Sequence, residues 1–145
     1  MSMVEELAAA NVNRSYQLAA SCIAIFTFLL FFLYPRFVSE QIDGLPFQAA
    51  LIVMGVATFS FAFASFFYYG ASLGGQRDDA DRFRLARRGD QIWLLGCTSL
   101  FFAPSLILFT VELFAVASAW FGLWLLYLVF VIRNFSSVRT REKEF

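Results

Sequence analysis

Glu112 is the first residue in this sequence that invites a chemical role, because its carboxylate lies between two long apolar runs. An ionisable group at membrane depth is a default candidate for carrying protons or binding cations. Its place between the runs puts it at a hairpin turn instead, where water and headgroups solvate a charge at little cost. The position therefore favours an interfacial turn residue facing Arg36. Pro104 falls in the middle of an apolar run, where it removes one backbone hydrogen bond and favours a kink. A hinge or gate is the functional reading. Packing alone also tolerates proline in membrane helices and is the favoured account.

The acids Asp78, Asp79 and Asp81 invite comparison with spaced aspartates that hold Mg²⁺ to a pyrophosphate. They are too few, and each has an arginine neighbour, so that reading is rejected. The segment from Gly74 to Asp90 has its acids early and its arginines late, as a helix dipole prefers, with Arg77 and Asp81, and Asp78 and Arg82, at i,i+4 spacing. It predicts a short helix ending near Gly89. Its arginines Arg77, Arg82, Arg84, Arg87 and Arg88 either reach toward lipid phosphates or form a docking surface for a cytoplasmic protein partner.

Other chemistry is scarce. The sequence has no histidine, which removes haem, the usual imidazole metal sites and every histidine-based acid–base pair. Cys22 and Cys97 each sit inside an apolar run and read as small buried side chains rather than metal ligands or a disulfide. No phosphate-binding loop, nucleophile elbow, zinc spacing or dinucleotide fingerprint occurs. The expectation is a protein with no catalytic residue, no metal and no cofactor, and not an enzyme. A formal net charge of zero argues against a nucleic-acid partner.

The elements that carry these residues are dictated by composition. Hydrophobic residues make up 60% of the 145 and charged residues 15%, with 20 phenylalanines. A soluble domain carries roughly 45–50% apolar and about 25% charged residues, so lipid is the expected solvent. Four apolar runs, 15–34, 47–69, 92–111 and 113–132, each approach the ~20 residues needed to cross the hydrocarbon. In lipid the backbone has no outside partner, so each run must be helical. The predicted fold is one all-α domain over 1–145, a four-helix transmembrane bundle with short loops, filled chiefly by Phe, Leu and Ala. The first run is read as a retained span rather than a signal peptide, because Glu5 and Glu6 precede it and Tyr34-Pro35-Arg36 is no small-residue cleavage site.

Orientation follows from the 11 basic residues. Arg14, the five arginines of the 70–91 loop, and Arg133, Arg139, Arg141 and Lys143 of the 133–145 tail fall on one side, with only Arg36 opposite. The positive-inside rule then places both termini and the long loop in the cytoplasm, in the plasma (inner) membrane. Tyr16, Tyr34, Tyr68, Tyr69 and Trp93 are expected at the headgroups, while Trp120 and Trp124 lie too deep for that belt. The tail from Asn134 is expected to be flexible.

Small residues line one face of the second run at Ala50, Ala57 and Ala64, with Ser60 beside them. The fourth run pairs Ala115 with Ala119 and Ser118 with Gly122 at four-residue spacing. Such faces let backbones approach, which drives association where the hydrophobic effect is absent. The functional expectation is a homo-oligomer that forms or gates an ion-permeable pore under control of the cytoplasmic loop. The alternative is a non-catalytic accessory or anchoring subunit of a larger membrane complex.

Overall fold

The computed structural model describes residues 3–73 and 79–141, with side chains described over 6–73 and 80–133. The chain forms four helices: α1 Met3–Val38, α2 Gly44–Ser72, α3 Asp79–Thr110 and α4 Phe114–Arg141. No strand occurs among the described residues. Each helix contains a segment long and apolar enough to cross a membrane.

The helices outrun the apolar runs. Before residue 15, α1 begins at Met3 through the helix-favouring stretch Glu5-Glu6-Leu7-Ala8-Ala9-Ala10. The predicted flexible tail is helical as far as Arg141. The short loop helix expected to stop at Gly89 is instead the first part of α3, which runs unbroken through Gly89 to Thr110. Gly89 is buried against α2: a Cβ there would lie 2.9 Å from Cε1 of Tyr68. Its small size serves a close approach, not a helix end.

The turns are built from the chain's own main-chain groups. Asp43 caps α2, its carboxylate accepting from the Leu45 amide at 3.2 Å. The two hairpin turns, after α1 and after α3, share one construction. Glu40 donates its amide to Phe37 O and Gln41 to Arg36 O; Glu112 donates to Phe109 O and Leu113 to Leu108 O. Both are Schellman motifs, which satisfy the orphan carbonyls at a helix C-terminus.

Burial recurs every seven residues on three helices. In α1 the buried series is Ala8, Ser15, Cys22 and Leu29. In α2 it is Phe47, Met54, Phe61 and Tyr68, with Ala50, Ala57, Ala64 and Ala71 three residues on from each. In α3 it is Arg82, Gly89, Gly96, Ala103 and Thr110. A seven-residue seam is the signature of left-handed, knobs-into-holes packing. The large residues of α2 meet the glycines of α3: a Cβ on Gly96 would lie 2.9 Å from Cε1 of Phe61. Tyr68 is thus buried beneath α3 rather than turned outward.

The helices follow one another in space as in sequence. α2 lies in the middle, packed extensively on both α1 and α3, whereas α1 barely touches α3. α4 packs on α3 alone among the described residues. Among its described residues the one fully buried is Ala117.

Candidate functional site

Glu112 occupies the turn between α3 and α4, exposed, with φ 60°. Glu40 occupies the equivalent turn after α1, with φ 57°. The left-handed region costs a residue with a Cβ about 1–2 kcal/mol, and a carboxylate at a helix C-terminus meets the negative end of the dipole. Both local rules argue for glycine, yet both turns carry glutamate. Both carboxylates are exposed and lie at the ends of apolar segments rather than within them. Glu112 makes no ion pair with Arg36, contrary to the pairing expected from the sequence.

Pro104 lies inside α3, which continues past it for six residues to Thr110. It leaves the carbonyl of Leu100 without its helical amide donor. Around it, α4 is stitched to α3 by side chains that reach main-chain carbonyls. Ser105 Oγ donates to Ala117 O at 3.1 Å, Trp120 Nε1 to Phe101 O at 3.0 Å, and Trp124 Nε1 to Thr98 O at 3.0 Å. These pairs run in opposite directions along the two helices, so α3 and α4 are antiparallel. The two mid-span tryptophans are thereby explained: each places its one donor on a carbonyl of α3, and the Trp124 ring also packs on Phe102. Their four-residue spacing on one face was the only signal the sequence offered.

The two small-residue faces have different fates. Ala50, Ala57, Ala64 and Ser60 are all buried within the chain. Ala115, Ser118 and Ala119 are exposed, and a Cβ on Gly122 would meet nothing within 4 Å. On a helical wheel Ala115, Ala119 and Gly122 lie opposite Ala117, and so away from α3, with Ser118 on the flank. Among the described residues, nothing is packed closely on the α4 stripe.

The arginines separate as well. Arg82 is only 6% exposed and donates Nε to Ala71 O at 3.2 Å, placing a cation on the last turn of α2. It belongs to the α2–α3 interface, not to a surface offered to lipid or a partner. Arg84 is exposed and lies 3.9 Å from Asp81. Arg87 and Arg88 are exposed. Arg77, and with it both predicted i,i+4 pairs, lies outside the described residues. Asp90, unremarked in the sequence, accepts a 2.6 Å hydrogen bond from the buried Tyr68 hydroxyl and ties the third turn of α3 to the C-terminal part of α2.

Several hydroxyls along the helices are engaged locally, whereas the buried Ser15 Oγ has no hydrogen-bond partner among the described residues. Thr27, Thr58, Thr98 and Thr110 donate to the carbonyl four residues back, and Ser65 to the one three back. Cys22 and Cys97 are free thiols buried in one apolar cluster with Leu29, Met54, Ala57 and Phe61. No group of three metal-ligating side chains is found among the described residues. No protein-family model, curated protein or solved structure matches this chain.

Proposed function

We propose that this chain is a non-catalytic subunit of the plasma (inner) membrane that works by assembling through α4. Both termini and the link between α2 and α3 face the cytoplasm in this reading, on the strength of the arginine asymmetry. The observation that carries it is the contrast on α4: among the described residues one is fully buried, while Ala115, Ala119 and Gly122 lie on the side away from α3 with Ser118 on its flank. Small residues let a neighbouring helix approach closely, which is what associates helices in lipid. In the form we favour, copies of the chain surround a common axis, and these residues line an ion path governed from the cytoplasmic end.

The seam that joins α1, α2 and α3 and the lateral packing of α4 on α3 argue against a path within one chain among the described residues, so conduction in this reading requires several. An accessory role in a larger complex is the second reading. The local engagement of the helix hydroxyls supports it, because it leaves few polar groups to line a pore.

The test is the mass of the purified protein in detergent together with ion flux in liposomes. A defined homo-oligomer that leaks ions supports the pore; an inert monomer supports the accessory subunit. Ser118→Leu fills the stripe and is expected to shift an oligomer toward monomer. Glu112→Gln is expected to leave flux unchanged, since its carboxylate sits in the exposed turn; a large loss would make it part of the path.

A further inference from the structure

The helices stand in a row, with α1 at one end and α4 at the other, and each end helix packs extensively on one neighbour only. The free side of α1 is turned away from the buried series Ala8, Ser15, Cys22 and Leu29. Exposed along it, at alternating four- and three-residue spacing, are Asn13, Gln17, Ala20, Ala24, Thr27 and Phe31. That spacing is the seam of a left-handed helix pair. Thr27 serves there as a small side chain, since its hydroxyl donates to Ile23 O at 2.8 Å. The free side of α4 repeats the spacing in Ala115, Ala119, Gly122, Leu126 and Val129. Both ends of the row thus carry a seam like those buried inside it, with no helix upon it among the described residues.

The two free seams taper in opposite senses. On α1 the small Ala20 and Ala24 occupy the half nearer Arg14, while the half nearer Arg36 carries Phe31, 74% exposed, with Phe28 beside it. On α4 the small residues lie nearer Glu112, while the half nearer Arg133 carries Leu126 and Phe130, 67% and 68% exposed. Heights carry across the row through known contacts: Phe37 meets Phe47, Phe61 overlies Gly96, and Trp120 reaches Phe101 O. Counted along the helices from these, Phe31 stands level with Ala117, Ala24 with Trp124 and Ala20 with Leu128, to within about one turn. At the height of Phe31, α4 therefore offers Ala115 and Ala119; at the heights of Ala24 and Ala20 it presents Leu126 and Val129.

Copies of one chain in a bilayer share orientation and height. A second copy beside the first brings its α1 to α4 antiparallel and in this register, because each helix reverses the one before it. Large residues then meet small ones along the whole contact, as Phe61 and Tyr68 meet Gly96 and Gly89 inside the chain. Two α4 helices face to face would set Leu126 against Leu126 and hold the alanines apart; two α1 helices would set Phe31 against Phe31. Charge agrees with the unlike pairing. The free side of α1 reaches the exposed Glu6 at its start, whereas the sequence of the last turn of α4 holds Arg139 and Arg141.

We infer that the free face of α4 docks on the free face of α1 of a second copy, so that copies close head to tail into a ring. The inference rests on the assembly reading above and deepens it by naming the surface that α4 meets. Ala115, Ala119 and Gly122 then serve the contact, which leaves the Ser118 flank of α4 for any ion path.

The test counts subunits of the full-length protein in liposomes by single-molecule photobleaching. Wild-type chains should assemble. Ala24→Trp fills the small half of the α1 face and Ala119→Trp that of α4; both positions are exposed, so each variant keeps its fold. Either alone should weaken assembly on the order of tenfold or more. Mixed in equal amounts, the two should form pairs and nothing larger, since each supplies the face that the other has lost. F31A/A119F, which exchanges large and small at one height, should assemble better than A119F alone.

Assembly of A24W equal to that of wild type, or a mixture of A24W and A119W that pairs no better than either alone, overturns the proposal while the assembly reading stands. Wild-type chains that remain single refute the assembly reading itself, and the proposal with it.

Discussion

The α2–α3 and α3–α4 interfaces use opposite means to hold helices together. Between α2 and α3, shape does the work: Phe61 and Tyr68 fill the spaces left by Gly96 and Gly89, and the seam repeats over the length of both helices. Between α3 and α4, three directed hydrogen bonds end on main-chain carbonyls, and burial is slight. In lipid, where apolar contact between helices displaces nothing more apolar, close packing accumulates along a seam while individual hydrogen bonds contribute modestly. The difference teaches that α1–α3 hold one another by shape along a shared seam, whereas the described part of α4 is held to α3 by directed hydrogen bonds with little burial.

The largest expected effect breaks the shape-based interface. Gly96→Leu drives a side chain into the Phe61 ring, in a packed interior with no room to yield. The folded yield in detergent should collapse, and Phe61→Ala added to it should recover part of the loss. If Gly96→Leu is tolerated alone, the socket description is wrong. That double change measures coupling directly, since the two residues touch.

A smaller effect is expected at the other interface. Trp120→Phe and Trp124→Phe keep an aromatic ring and remove one donor each, worth about 0.6 kcal/mol in membrane proteins. Amide exchange in α4 should quicken while that of α2 and α3 stays unchanged. Uniform quickening across all four helices would mean that α4 is as integral as the rest.

The smallest effect is a gain. Glu40→Gly and Glu112→Gly relieve a left-handed backbone worth about 1 kcal/mol, less the extra chain entropy glycine loses on folding. Each should raise the thermal midpoint slightly and about equally, because the two turns have the same hydrogen-bond pattern. Unequal gains would show that one glutamate makes a contact the other lacks.

Much of the α2 seam was legible, since Ala50, Ala57 and Ala64 already stood out as a small-residue face. Their partners were not. Gly89 read as a helix stop because glycine permits both a terminator's backbone and a close approach, and only the neighbour's ring decides between them. Tyr68 read as an interfacial aromatic for the same reason: its distance from the span end is the same whether its ring faces headgroups or α3. Arg82 stood among four surface arginines in the sequence, and only the position of Ala71 O separates it from them.

The sequence by itself determined that there are four helices, which end of the bundle carries the cations, and that no charge lies deep within an apolar run. Apolar length and charge placement are properties of single segments, and lipid acts on each segment alone. Only the tertiary structure decided which small-residue face is buried, where Trp120 and Trp124 place their donors, and that α3 is one continuous helix carrying its arginines at fixed height. Those outcomes depend on which surfaces meet, and a seven-residue seam on one helix has no meaning until its partner's seam is known.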